Sequence, residues 1–238
     1  MTRKVEKVPR RTQTGGYSRG DETRMRIIET ALDMFGQSGF EQTSTRAIAL
    51  RAKVNLGALT YYFGNKEGLY SACADHIASS AEARSGPILA EIESALANDR
   101  LTQDELMALL RTYVDLTTED LVSGDDPQNW LLFMTREQVN PAAASEVIYK
   151  RVTVQLLTVL TALIGRIIGS QPDDAETIIR ALAIMGQLIN FRRMRRATLR
   201  ALDWPDFQGS RGARLKDILW SQIANGLAQP TATSPGPQ

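Results

Sequence analysis

The chain has 238 residues, 43% of them hydrophobic, which is enough apolar material for a buried core and excludes disorder along its whole length. With 28 basic against 27 acidic residues the net charge is +1, so any nucleic-acid binding must rest on charge placed locally. One cysteine, Cys73, excludes an intramolecular disulfide framework and any multi-cysteine metal site, and suits a reducing compartment.

In chain order, residues 1–20 carry Arg3, Lys4, Lys7, Arg10, Arg11 and Arg19 against Glu6, with Pro9 and three glycines among them. No period runs through them, and they read as a disordered basic tail. Such an arm is either inert or adds phosphate contacts that fade with salt. Asp21 to Ser38 is the first predicted helix. Asp21 and Glu22 suit the positive end of its dipole, Ile28, Ala31, Leu32 and Phe35 form its apolar stripe, and Gly39 follows as a stop.

Thr43 to Lys66 reads as a helix, a tight turn at Lys53-Val54-Asn55 and a second short helix. Thr43 or Ser44 supplies the first cap. Ile48, Ala49, Ala52, Leu59 and Phe63 fall on inward faces, and with Phe40 and the first helix they fill a small three-helix core. The remaining face, with Thr45, Arg46, Leu56, Gly57, Ala58, Thr60, Tyr61 and Tyr62, is too small or polar for a core and has the geometry that enters a DNA major groove. Gly57 and Ala58 permit close backbone approach, Leu56 or Ala58 can meet thymine methyls, and Lys66 suits a phosphate.

The string TSTRAIALRAKVNLGALTYYFGNKEGLY resembles the helix-turn-helix of the TetR family of bacterial regulators. ALTYYFGNKEGLYSACADHIA, FMTREQVNP and INFRRMRRATLRALDW are similar to its CecR-like branch, and the resemblance runs from about Thr23 to about Leu227. It implies that Thr45 and Arg46 touch a phosphate and a base edge, and that Tyr62 bonds a phosphate. Two departures matter. Lys53 stands where the family often has glycine, so a positive φ there would strain it, and Leu59-Thr60 replaces the usual Leu-Tyr pair, so the operator does not carry over.

Glu67 to Arg84 is the predicted fourth helix, with Ser85-Gly86-Pro87 breaking the chain before another at Ile88 to Ala97. Cys73 and His76 share the fourth helix but have no further ligands at metal spacing. A longer helix follows through Leu106, Leu110, Tyr113 and Leu121, then a loop at Ser123 to Pro127, a helix from Trp130 to Val139 and a restart at Pro141. Nothing alternates with period two, so an all-α fold is expected, with a helix-turn-helix domain at 21–66, a helical effector-binding and dimerisation domain at 67–228, and a disordered tail at 229–238. Val152 to Gly165 falls short of the roughly 20 apolar residues of a membrane span. With no secretory signal either, the protein is expected to be soluble and cytoplasmic.

The late helices are the most apolar. Leu156, Leu160, Leu163 and Ile167 form one stripe, and Ile178 to Phe191, including Leu182, Met185 and Ile189, is apolar on nearly every side. Such a coat calls for a second cover, and a partner subunit is the simplest. The family pairs these helices across a two-fold axis, with Gly165 and Gly169 available for a close crossing. Arg192 to Arg196 is either a solvated helix end or a source of one or two inward arginines, with Arg192 singled out by the resemblance.

These readings combine into a homodimeric repressor of a double-stranded DNA operator, released by a small-molecule effector held among Tyr113, Trp130, Phe133, Met134, Arg136, Glu137, Phe191 and Arg192. The CecR-like branch implies an effector of antibiotic or other xenobiotic type. Catalysis is not expected, since one His and one Cys stand without GxGxxG, GxxxxGK[ST] or HExxH; no cofactor or metal is implied. The competing class is a helical protein-binding scaffold that reads no DNA.

Overall fold

The computed structural model describes residues 19–123, 128–139 and 143–228. The expected basic tail up to residue 18, the loop at 124–127, Pro141 and the tail at 229–238 lie outside the described residues. All the regular structure described is helical.

Helix α1 (Arg19–Ser38) buries Ile27, Ile28, Ala31, Leu32 and Phe35 on one face and gives way at Gly39, whose φ is +82°. Helices α2 (Thr45–Arg51) and α3 (Leu56–Phe63) add Ile48, Ala49, Leu59 and Phe63. The core is larger than the three-helix unit expected. Leu69, Tyr70, Cys73 and Ile77 of α4 (Lys66–Leu96) and Trp130 and Phe133 of α6 (Gln128–Val139) belong to the same cluster. Tyr70 is its hub, with ring centroids 4.8 Å from Phe35 and 4.7 Å from Phe133.

The break expected at Pro87 is absent, and α4 is one helix of 31 residues. Proline disfavours a helical predecessor because its Cδ clashes with that residue's Cβ, and here the predecessor is Gly86, which has none. Packing against α5 (Gln103–Ser123) and α8 (Val154–Ile168) then holds the helix through the one lost hydrogen bond. So α4 begins in the first core and ends in the second, to which it gives Leu89 and Ile92.

That second core is closed by α5, α8, α9 (Ala175–Arg193) and α11 (Ser210–Ala228), with the short α10 (Arg195–Leu202) between the last two. Arg166 on α8 donates to the carbonyls of Leu96 and Asn98, at 2.8 and 2.9 Å, and so pins the far end of α4. Before α8, helix α7 (Ala143–Ile148) runs into it through a π-helical turn, Tyr149–Thr153. Because these pieces join, Glu146–Ile168 is a helix of 23 residues with hydropathy 1.6, long and apolar enough by length and composition to cross a membrane, contrary to the estimate from Val152 to Gly165. Its apolar side is used within the fold: Leu160, Leu163 and Ile164 are wholly buried in the second core. The π turn directs Arg151 onto α4, where it bonds Glu82 at 2.5 and 2.8 Å, Asp75 at 3.0 Å and Ser79 at 2.9 Å. Hydrogen bonding from Arg151 holds the Glu82 carboxyl below its ordinary range.

Helix α6 lies along α1. The last carbonyls of a helix lack partners within it, and Arg136 supplies two, donating to Gly36 O at 2.7 Å and Gln37 O at 2.5 Å. Gly36 makes the approach possible, since a Cβ there would stand 2.9 Å from Asn129 O and 3.2 Å from Leu132 Cβ. Alanine in a helix is ordinarily favoured over glycine by roughly 0.5–1 kcal/mol. At this position the sign reverses: Gly36→Ala is expected to lower stability by about 1–3 kcal/mol through overpacking of the α1–α6 seam, measured by denaturant unfolding of the full chain.

Candidate functional site

The α2–α3 unit is assembled by local bonds. Ser44 is the α2 cap, its Oγ accepting from Ala47 N at 3.1 Å, whereas Thr43 turns inward and donates to Gly39 O at 2.7 Å. Asn55 caps α3 by accepting from Ala58 N at 2.7 Å, and Asn65 caps α4 by accepting from Gly68 N at 2.8 Å. Lys53 in the turn has φ +55°, the left-handed conformation that favours glycine. Arg26 of α1 braces this turn by donating to Ala52 O at 3.0 Å, and the Arg24 guanidinium lies over the Phe63 ring, so both arginines have work within the head. Gly68 is the tightest point: a Cβ there would stand 2.1 Å from Phe63 O. The end of α3 and the start of α4 are therefore held as one rigid corner.

On the outward face, Arg46, Leu56, Gly57 and Thr60 are exposed, and Thr45 and Ala58 are half-buried. The two tyrosines separate. Tyr61 is 84% exposed, while Tyr62 is half-buried against the head core, so Tyr61 is the freer to meet a ligand. Behind this face lies a notch of about 480 Å³ lined by Gln42, Thr45, Thr60, Asn65 and Lys66, with Glu41, Leu56 and Leu59 also in its wall. The N-termini of α2 and α4 both border it, which places two sets of backbone N–H groups and the positive ends of two helix dipoles around one hollow. Lys66 Nζ rests 4.3 Å from the Phe40 ring centroid and 3.4 Å from Glu41 O, within reach of the same hollow. The helix N-termini and Lys66 favour an anion such as a phosphate in this hollow, and Glu41 in the same lining opposes one.

A second hollow, of about 570 Å³, lies between α4, α5, α8 and α9. Of the residues expected to hold an effector, Tyr113 and Arg192 line it. Trp130, Phe133, Met134 and Arg136 do not. The apolar side of α6 is consumed by α1 and α4, and Arg136 by the end of α1. Phe191 faces a separate groove with Met194, Leu202, Trp204 and Ile218, and the side chain of Glu137 lies outside the described residues. The sequence reading missed the α4 wall, Ala81, Arg84, Ser85 and Ile88. Their spacing of three and four is helical, but the presumed break at Pro87 hid it.

The expected dimer stripe is also redistributed. Leu160, Leu163 and Met185 are buried inside the subunit, Leu156 lines the hollow, and Ile167 and Ile178 are half-buried, so α8 spends its apolar face on its own core. Gly165 is packed under the α8–α9 turn, where a Cβ would meet Ser170 O at 2.9 Å, and Gly169, with φ +72°, ends α8. Gly165 is thereby closed to a partner, whereas Gly169 is exposed with open space above it. Exposed instead are Ile179 (65%), Leu182 (50%) and Ile189 on α9, with open space over Gly186; Ile189 also borders the second hollow, and the exposed Ile218 of α11 lines the groove at Phe191.

Cys73 and His76 do not converge. The Cys73 thiol is buried, which pushes its pKa up, and it lies 3.8 Å from Ile28 O. The His76 ring meets Trp130 edge-on at 5.2 Å. Burial lowers its pKa, opposed by Glu29 and assisted by Arg24.

Residues 27–73 match the family model described as bacterial regulatory proteins, tetR family, and residues 104–228 match that of the HTH-type transcriptional dual regulator CecR, C-terminal domain. Among characterised proteins the chain is 34% identical over 193 residues to the dual regulator CecR of Shigella flexneri, covering 79% of this chain and 84% of that one. It is 29% identical over 119 residues to the regulator BetI of Paraburkholderia phymatum, covering 50% and 56% respectively. Among solved structures, HlyIIR, a hemolysin II transcriptional regulator, superposes with TM-score 0.55 at 18% identity, covering 89% of this chain and 99% of that one. A TetR-like regulator from Rhodococcus sp. RHA1 does so with TM-score 0.53 at 19% identity, covering 90% and 100%.

Lys53 is the position where the local geometry yields the plainest test. Lys53→Gly is expected to stabilise the chain by roughly 0.5–1 kcal/mol, because glycine adopts the positive φ without a Cβ clash. A rise in melting temperature would register it, and a fall would mean that the lysine side chain contributes more than the strain costs.

Proposed function

Because this chain belongs to the TetR family of bacterial transcriptional regulators, we propose that it is a cytoplasmic, homodimeric repressor released from its operator by a small molecule. One observation carries the reading. Helix α4 runs unbroken from Lys66, at the notch beside α2, to Ile88, in the wall of the second hollow, about 33 Å away at 1.5 Å per residue. A molecule that fits the hollow in only one position of α4 shifts the corner that carries α3.

In this scheme Arg46, Leu56, Gly57, Thr60 and Tyr61 face the base edges, and Thr45, Tyr62 and Lys66 hold phosphates with the two helix N-termini. Arginine suits a guanine, whose O6 and N7 match its fork. The partner subunit covers Ile179, Leu182, Ile189 and the open side of Gly186. Two-fold symmetry then sets the recognition helices about 34–36 Å apart, or a multiple of that, over a near-palindrome. An effector that favours mis-spaced heads weakens operator binding by its differential affinity, commonly about 1–3 kcal/mol. The xenobiotic character implied by the CecR-like branch belongs to this proposal too.

Footprinting on DNA flanking the gene tests the reader. A protected near-palindrome is expected, with Lys66→Ala weakening binding to all sequences alike and Arg46→Ala relaxing preference at one base pair per half-site. Loss of affinity from Arg46→Ala with preference unchanged would make Arg46 a phosphate contact. Leu182→Glu tests the dimer: it is expected to halve the solution mass at micromolar concentration and abolish operator binding, and an unchanged mass would move the interface elsewhere.

A further inference from the structure

Helix α4 is not the only rod between the two cores. The segment from α7 through the π turn into α8 is another: Val147 and Ile148 pack against the head core, while Val159, Leu160, Leu163 and Ile164 are buried in the second. The π turn, Tyr149–Thr153, lies between them. Ile148 and Val159 stand about three α turns apart, so an unbroken α-helix would aim both the same way, and the wider turn aims them apart.

Two neighbouring residues of that turn have different work. Val152 lines the α4–α5–α8–α9 hollow, with Leu156 one turn on. Arg151 faces α4, where its fork takes both carboxylate oxygens of Glu82 and also reaches Asp75 at 3.0 Å and Ser79 Oγ at 2.9 Å. These acceptors follow one another at i, i+4 and i+7, a single face of α4. A lone surface ion pair holds little, but a two-pronged pair inside a network holds more, and here the Arg151 and Glu82 side chains are only 33% and 32% exposed. The upper end of the network touches the hollow, because Ala81, beside Glu82, is in its wall. Its lower end is in the head, because Asp75 stands among Cys73, Ala74 and Ile77 of the head core. A displacement of Val152 is therefore passed by the same turn to Arg151, and by Arg151 to the head-side half of α4.

On the reading of the hollow as the effector site, we propose that Arg151 is the positioning residue that carries its occupancy to the head, by tying the cavity wall to α4 through Glu82, Ser79 and Asp75.

A removable occupant stands in for the effector. In Ser85→Cys, a near-isosteric change in the wall, benzyl methanethiosulfonate adds a benzylthio group that dithiothreitol takes off again; Cys73 is wholly buried and does not compete. Operator affinity of the full-length chain is read by fluorescence anisotropy, with and without the cap. Amide hydrogen exchange over Asp75–Glu82, which needs no DNA, is followed in parallel. The cap is expected to weaken operator binding by about 5–150-fold and to speed that exchange. With Arg151→Gln added, capped and uncapped affinities come within about twofold of each other and the exchange response disappears. Glu82→Gln acts alike, the double variant goes no further, and Arg151→Lys, with its charge but no fork, keeps part of the response. The Glu82 variant carries the test if Arg151→Gln melts early. A purely structural Arg151 would lower melting temperature and both affinities while leaving their ratio and the exchange response as they were, and that result overturns the proposal. So does a cap that changes neither affinity nor exchange with Arg151 in place. An Arg151-dependent exchange response without loss of operator affinity supports the link and counts against the hollow as the site of operator release.

Discussion

The corner between α3 and α4 is the constraint on which the rest depends. With Phe63 O only 2.1 Å from where a Cβ of residue 68 would stand, Gly68 cannot be replaced without separating the two helices. Gly64, at φ +73°, makes the turn, and Asn65 closes it by capping α4. The recognition helix consequently has no independent orientation. It points where the first turn of α4 points, and α4 answers to the second core through Leu89, Ile92 and the Arg166 bonds at its far end.

Two side routes join the same lever. Arg151, directed by the π turn, ties the head-side half of α4 to the start of α8, where Val152 and Leu156 line the hollow. Helix α6 reaches the head from the other direction, with Arg136 bonded to the end of α1 and Trp130 and Phe133 set among head residues. Inserted extra turns of this kind recur at functional sites because they re-aim side chains without breaking a helix. Here the re-aimed residue is the one that couples a cavity wall to α4.

Electrostatics are local throughout. A chain of net charge +1 has no long-range field with which to seek an anion. The head gathers its positive ends by geometry, through two helix N-termini and Lys66 around one notch, and in the body Arg111 is shared between Asp115 and Asp217 while Lys216 holds Glu119. In both places, which charge is answered by which neighbour decides the outcome.

Residue spacing alone determined much of this protein. The stripes of α1, the paired inward residues of α2 and α3, and the cap of α2 at Ser44 are local, and a helix of 3.6 residues per turn makes them legible without a fold. The strain at Lys53 was legible too, as a departure from a motif. What only the tertiary structure decided is which apolar side chains meet which. An apolar stripe announces that it is covered, never by what, and so α6 was assigned to the effector site although α1 and α4 cover it, and Leu160 and Leu163 to a partner although the subunit's own core takes them. Pro87 hid the lever for a related reason. Whether a helix passes through a proline depends on the packing around it, which no local spacing records.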